Sequence, residues 1–413
     1  MKTMRKILSM ILTLSLVLTL GVQVFASNGS VDTLDASASK SAVRVSGTTS
    51  GVNVAVSVQV YQGDGNSPTI IGMDSFTVNK NGEFEGVVAL TKAYDESAPI
   101  NVRAADFEGG SWKKVEGLIV NDDAAELKGF KLRIGDTIGV DYYVELESEL
   151  LDPSADTTVC FEYDTSVVKL RKQDVKLDTS KSEDVNGKTY YIFTCEVNIS
   201  DMTMPINATV KYDGDREIYF APFQVRDYAM HVLQTSTDET TRNFVEALLS
   251  YGYYAQIKFN PTSTRYAEDK LDLPDSQTIM NSTMADVSRS AIQCTDGASY
   301  YGSSVVFLAG NRIRHYFTIT GDVTITVDGQ TRTKYTSGNL FYVTSDILNV
   351  MELDRKVEVT VSNGQETQVS SYSVMNYVYA ILQSDTSTKE MKDLVKALYM
   401  YYSAARDYVD AHS

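Results

Sequence analysis

The chain has 413 residues, 43% of them hydrophobic and 22% charged, with only seven prolines; that leaves material for real cores and little for long disordered linkers. A net charge of −17 excludes recognition of nucleic acid or anionic membrane through a general electrostatic field. A mature length of about 390 residues predicts two to four domains.

Lys2, Arg5 and Lys6 precede an apolar stretch from Ile7 to Val24, and "VFA" before Ser27 is a small-residue cleavage site. Residues 1–26 therefore read as a secretory signal peptide, too short and wrongly flanked for a membrane anchor. Its removal takes the net charge from −17 to −20. Ser27 rather than Cys follows the cut, so nothing supports a lipoprotein, and the terminal "RDYVDAHS" carries no sorting motif. The expectation is a secreted, extracellular protein, released or held non-covalently at the cell surface, with no membrane insertion after signal cleavage and no nucleic-acid partner.

Residues 27–44 are small and polar and read as a flexible leader. From there the period is two. "VNVAVSVQVY" (Val52–Tyr61) alternates, and "MDSFTVNKNGEFEGVVAL" (Met73–Leu90) places Asn-Gly between two alternating runs, a hairpin signal. "PINVRAAD" adds a strand. Residues 45–122 are expected to form an immunoglobulin-like β-sandwich. After a linker at 121–126, "FKLRIGDTIGVDYYVELE", "TTVCFEYD", "SVVKLRK", "KTYYIFTCEVNI" and "INATVKYDGDREIYFAPF" continue as strands.

At Arg226 the period changes to that of a helix. In "RDYAMHVLQ", Ala229, Val232 and Leu233 share a face. In the next segment Phe244, Val245, Leu248, Leu249, Gly252, Ala255 and Phe259 form an apolar stripe, entered by a capping box at Ser236 and Glu239 and ended by Asn260-Pro261. The plan then repeats. Strands such as "SSVVFLAG", "IRHYFTIT" and "VTITVDGQTRTKY" lead into "NYVYAILQ". A second stripe follows, Met391 to Val409, behind Ser387 and Glu390. "FVEALLSYGYYAQIKF" and "LVKALYMYYSAARDYV" share five of 16 positions. "IGDTI" at 134–138 resembles "AGNRI" at 309–313, and Tyr142-Tyr143 resembles Tyr316-Phe317. The fold class is therefore mainly β with α (α+β): the N-terminal sandwich, then two related β-sandwich units at 127–262 and 285–413, each closed by a helical hairpin that covers the bare face of its own sheet.

The cassette Y-A-x-x-V-L … A-L-L-x-Y-G-x-x-A-Q-x-x-F, as it stands at 228–259, resembles a module recurring in large secreted and cell-surface proteins of Gram-positive anaerobes. "VSGTTS", "VSVQVY", "NGEFEG" and "VRAADFEGG" are similar to the bacterial immunoglobulin-like modules that accompany it there. The resemblance implies extracellular location and modularity; it implies no activity. The second cassette departs from the pattern at Tyr402 (for Gly) and Arg406 (for Gln), which predicts a difference in its helix packing.

Chemistry-bearing residues are few. Three histidines, His231, His315 and His412, lie outside any metal-ligand spacing, and a nucleophilic apparatus would need one of them as its base. His315 is the best placed, but a structural histidine is the simpler expectation. Cys160 and Cys195 lie on two strands that can face each other across a sheet, so they form either a disulfide or two buried thiols; Cys294 has no evident partner. "QGDGNS" (Gln62–Ser67) and "YDGDRE" (Tyr212–Glu217) are oxygen-rich loops suited to structural calcium, though hairpin turns look the same, and no cofactor or metal site is expected.

The 26 tyrosines and single tryptophan are the most suggestive feature, since both side chains give rigid amphipathic contact surface. Trp112, beside a Gly-rich loop, and Tyr253 and Tyr254, which cannot share the core face with Tyr251, are the candidate ligand-binding residues. Their alternative role is to fill seams between modules. The expected function is a non-catalytic binding or adhesion protein for a glycan or for an envelope or host surface protein. The alternatives are a structural spacer or envelope-assembly component and, third, a glycoside hydrolase with paired carboxylates.

Overall fold

The structure is a computed structural model, and it describes residues 30–51, 55–63, 68–91, 94–106, 112–120, 124–134, 138–165, 170–214, 216–260, 271–282, 291–307 and 310–412. The chain divides into two compact units, residues up to 122 with 218–221, and residues 123–217 with 222–413.

The first unit holds β1 (Val31–Ala38), β2 (Ala42–Thr49), β3 (Ala55–Gln62), β4 (Thr69–Thr77), β5 (Glu83–Ala89), β6 (Ile100–Asp106) and β7 (Lys113–Leu118). They pair antiparallel in two sheets, β1-β2-β5 and β4-β3-β6-β7. Alternation sends Val43 and Val45 of β2, Val56, Val58 and Val60 of β3, and Ile100 and Val102 of β6 into one buried cluster.

Two expectations are corrected here. Residues 31–38 and 42–44 lie in strands, with Val31, Leu34, Ala38, Ala42 and Val43 buried, so this stretch is not a flexible leader; its small polar residues are the outward half of an alternating pattern. The Asn-Gly at 81–82 is a corner between sheets rather than a hairpin, because β4 pairs with β3 while β5 pairs with β2. The Asn79 side chain accepts the backbone N–H groups of Asn81 and Glu83, and Gly82 takes φ +80° where a Cβ would meet the Thr49 carbonyl oxygen at 2.6 Å.

In the second unit a first repeat runs through β8 (Ala125–Ile134), β9 (Ile138–Leu146), β10 (Thr158–Tyr163), β11 (Arg171–Lys176), β12 (Ser182–Val185), β13 (Lys188–Val197), β14 (Asn207–Tyr212) and β15 (Arg216–Tyr219), where the unit division falls. Helices α1 (Val225–Thr235) and α2 (Glu239–Phe259) follow. After α3 (Ser276–Ser282) a second repeat runs through β16 (Ala298–Val306), β17 (Arg312–Ile319), β18 (Thr324–Val327), β19 (Gln330–Thr331), β20 (Tyr335–Ser337), β21 (Leu340–Thr344), β22 (Val357–Ser362) and β23 (Thr367–Tyr372), then α4 (Val374–Gln383) and α5 (Lys389–His412).

The sheet orders are β12-β13-β9-β8 and β11-β10-β14-β15 in the first repeat, and β20-β21-β17-β16 and β19-β18-β22-β23 in the second. Numbered within each repeat, both read 5-6-2-1 and 4-3-7-8. Both also carry a 3-10 turn between the sixth and seventh strands, Ile199–Asp201 and Val350–Glu352. Aligning Ile138 with Ile313 matches inward to inward, and it pairs buried Tyr142 with buried Phe317. Pairing Tyr142 with Tyr316 is a slip of one residue that would exchange the two faces of the sheet.

The long helices do more than cover their own strands. Tyr251 of α2 and Tyr401 of α5, which occupy the same position in the duplicated cassette, stack with ring centroids 5.6 Å apart and planes 20° apart. Seven residues to either side, Phe244 lies 5.4 Å from Tyr408, and farther out His412 Nε2 is 3.6 Å from an Asp238 carboxylate oxygen. Early residues of one helix meet late residues of the other, so α2 and α5 run antiparallel about a local pseudo-two-fold at the Tyr251–Tyr401 stack. This is the self-complementary contact of a symmetric dimer, made within one chain. It joins the two repeats into one unit, a contact that the expected closure of each sandwich by its own helices did not include.

The sequence divergence at the helices has a packing counterpart. A Cβ on Gly252 would sit 2.0 Å from Met202 Sδ, and Gln256 Nε2 donates to Thr203 Oγ1 at 2.8 Å. In the second repeat the corresponding tie is charged: Arg406 donates to Tyr402 Oη at 2.6 Å and to Asp354 at 3.2 Å. Helix entries also differ from expectation. Asp238 caps α2, accepting from Thr241 N at 2.7 Å, and Thr388 Oγ1 accepts from Met391 N at 3.3 Å. Among the described residues no helix is long and apolar enough to cross a membrane.

Candidate functional site

Of the predicted ligand residues, Trp112 lies in the first unit and Tyr253 and Tyr254 lie in the second. Trp112 precedes β7, 38% exposed, with the Arg103 guanidinium 4.6 Å from its ring centroid. Arg103 also lies over Tyr61 at 5.3 Å and donates to Gln59 at 2.8 Å, so the tryptophan is one plate of a cation–π stack. Tyr253 and Tyr254 are half-buried on α2, edge to face at 5.1 Å. Burial is the main cause of the raised Tyr254 hydroxyl pKa, with Asp393 of α5 adding to it, so this ring belongs to the helix seam. Tyr251 is buried in the same seam; its hydroxyl finds no hydrogen-bond partner among the described residues.

Other sequence candidates resolve as structure. Cys160 and Cys195 are free thiols on different sheets, Cys160 on β10 and Cys195 on β13, so the expectation of a facing pair within one sheet is corrected. Burial pushes both thiols up to about 12. His315 points inward from β17, wholly buried; Ser303 Oγ lies 2.7 Å from its Nδ1, and Tyr300 Oη 2.6 Å from Ser303 Oγ. Its Nε2 has no hydrogen-bond partner among the described residues, and the ring meets Tyr372 edge to face at 5.5 Å. Burial lowers its pKa to about 3, which holds it neutral. A serine beside a histidine lacking a carboxylate orienter and solvent access does not have the geometry of a nucleophilic pair.

Gln62–Ser67 falls largely outside the described residues. In the other oxygen-rich loop, Asp213 faces Arg216 at 3.8 Å and Glu217 faces Lys211 at 3.1 Å, so these carboxylates already have cations. Among the described residues no three His, Cys, Asp or Glu side chains converge as a metal site.

The strongest surface constellation is one that motif reading missed. On β17 the outward residues are Arg312, Arg314 and Tyr316, at strand period two. Register places Tyr316 opposite Tyr342 of β21, and Tyr342 opposite Tyr335 of β20. The three rings form a row across three strands, Tyr316 5.5 Å from Tyr342 and Tyr342 5.4 Å from Tyr335, the latter pair stacked at 26°. Arg314 lies over Tyr342 at 5.0 Å. Tyr335, the outer end of the row, is 51% exposed, and Tyr301, at a bulge of β16, is 73% exposed.

Beside Tyr335 opens a groove of about 580 Å³ lined by Arg312, Arg332, Thr344 and Asp346. Arg332 grips Asp346 with two bonds, 2.8 and 2.6 Å, and holds its carboxyl below the usual range. Arg312 has no ion-pair partner among the described residues, and the Nε atoms of Arg312 and Arg314 are buried without an acceptor. The groove is thus a threonine- and arginine-lined hollow with one carboxylate, already spoken for, and an aromatic wall.

No protein-family model matches the chain, and no curated protein matches it. Among solved structures, the dimeric latent form of PorU from Porphyromonas gingivalis aligns with 83% of this chain at 10% identity and a TM-score of 0.18. The chain spans 33% of that protein's length, and a likeness of this size carries no argument about fold or function.

Proposed function

We propose that the chain is a secreted, non-catalytic extracellular binding protein whose ligand is a carbohydrate, taken at the outward face of β17, β21 and β20. The observation that carries this reading is the row Tyr316–Tyr342–Tyr335. It is a ladder of amphipathic rings whose outer member is open to solvent beside a groove of about 580 Å³. Stacking on Tyr342 fixes Tyr335 before a ligand arrives, which lowers the ordering cost of binding. The extracellular location rests on the signal-like residues 1–26 and on the resemblance to modules of secreted proteins of Gram-positive anaerobes. In this reading the first unit is an immunoglobulin-like spacer, and the two repeats are sandwiches closed by helix pairs.

A glycan array probed with residues 27–413, as wild type, Tyr335→Ala and Trp112→Ala, tests this. Saturable binding lost in Tyr335→Ala supports the assignment. Loss only in Trp112→Ala moves the site to the first unit. No glycan binding by the wild type overturns the reading in favour of a spacer.

A further inference from the structure

We propose that the sugar taken at this face is acidic, a uronate-type residue whose carboxylate is received by Arg312 and Arg314; this rests on the carbohydrate reading above. The chain is strongly acidic, and in the first repeat the corresponding face is compensated within itself: Arg133 pairs with Glu196 at 2.7 Å, and Lys128 and Lys188 pair with Glu145 at 3.1 and 2.8 Å. On the second repeat, Arg332 takes both oxygens of Asp346, and Arg312 acts on that carboxyl only through its charge, with no ion pair of its own among the described residues. Arg312 and Arg314 remain without an ion pair among the described residues, at alternate positions on one strand, with the Arg314 guanidinium over the Tyr342 ring.

A guanidinium presents a planar fork that matches a carboxylate with two parallel bonds. The Arg314 guanidinium lies 5.0 Å from the centre of the Tyr342 ring, a cation–π contact beside the tyrosine row. A sugar whose apolar face stacks at Tyr335 brings a ring substituent within reach of the groove that Arg312 lines. The net charge of −17 then limits the ligand's charge density: it repels a nucleic acid, with one charge per ~1.7 Å of helix axis, far more than a polymer with one carboxylate per sugar.

The test is isothermal titration of residues 27–413 with three polymers: a polyuronate, the same polyuronate methyl-esterified, and a neutral glucan. Each is titrated into wild type, Arg312→Gln, Arg314→Gln and Tyr335→Ala, with melting curves to show that each variant is folded. The expected result is binding of the free acid, weakened at least tenfold by esterification and by each arginine substitution, and weakened by Tyr335→Ala as well. Equal binding of acid, ester and glucan, lost only in Tyr335→Ala, overturns the acidic assignment and leaves the carbohydrate reading standing. Binding of the free acid that survives both arginine substitutions overturns the placement. No binding of any polymer overturns this assignment, and the array decides the broader reading separately.

Discussion

In the first repeat the outward face of β12-β13-β9-β8 is covered by its own charges. Arg133 lies across Gly139, its Nε 3.0 Å from where a Cβ would stand, and pairs with Glu196 and, at 3.8 Å, with Asp141; Thr194 donates to Asp141 at 2.6 Å. In the second repeat, with the same strand order, Arg314 and Tyr316 stand where Gly139 and Asp141 stood, and the face carries a tyrosine row with the Arg314 guanidinium over Tyr342 and, among the described residues, no ion pair to Arg312 or Arg314. Exposed ion pairs contribute little stability, about 0–1 kcal/mol each, so the first face gains mainly self-sufficiency. The two repeats share the strand order and the helix clasp and differ in the charges and rings that this sheet face carries.

That contrast can be broken from the part the repeats share. Tyr401→Ala removes a buried ring from the pseudo-two-fold and is expected to destabilise the second unit by about 3–5 kcal/mol in urea unfolding. Tyr251→Phe removes only a buried hydroxyl without a partner and should be neutral or slightly stabilising. A cost for Tyr401→Ala below about 1 kcal/mol would mean that the helices do not hold the repeats together.

The next effect belongs to the second repeat alone, because the position aligned with His315 is Val140. The folded protein holds His315 neutral with its pKa down at about 3, whereas the unfolded chain binds the proton near the ordinary value of about 6.5. Its contribution to stability is therefore present above the unfolded value and is lost as pH falls from about 6.5 toward 3, at up to about 1.4 kcal/mol per pH unit. Urea titrations of wild type and His315→Leu between pH 7 and pH 5 should show a slope in the first that is absent from the second; parallel curves would refute the assignment.

Smaller effects sharpen the comparison. Gly252→Ala forces a methyl against Met202 Sδ and should cost about 1–3 kcal/mol by overpacking, read as a shift in the urea midpoint. Arg133→Ala should cost under about 1 kcal/mol and leave glycan affinity unchanged. A loss of affinity there would make the first repeat's face a binding surface too.

The strand and helix plan was legible because its signals are local: period two in β3, period 3.6 in α2, and five shared cassette positions. The clasp was half legible. The duplicated tyrosine could be read, but nothing local says that Tyr251 stacks on a ring 150 positions away rather than on its own sheet. The candidate site was visible only in part. Period two in "RIRHYF" puts Arg312, Arg314 and Tyr316 on one face, yet Tyr342 and Tyr335 join them only through strand register, which the pattern does not specify. Trp112 stood out because it is unique in composition, and its Arg103 partner lies on another strand. The 27–44 stretch misled because a strand made of small and polar residues has the composition of a linker.

The most direct test of the account is the affinity of residues 27–413 for a polyuronate with and without Tyr335→Ala. The expected result is at least a tenfold loss with an unchanged melting temperature. An unchanged affinity would contradict it.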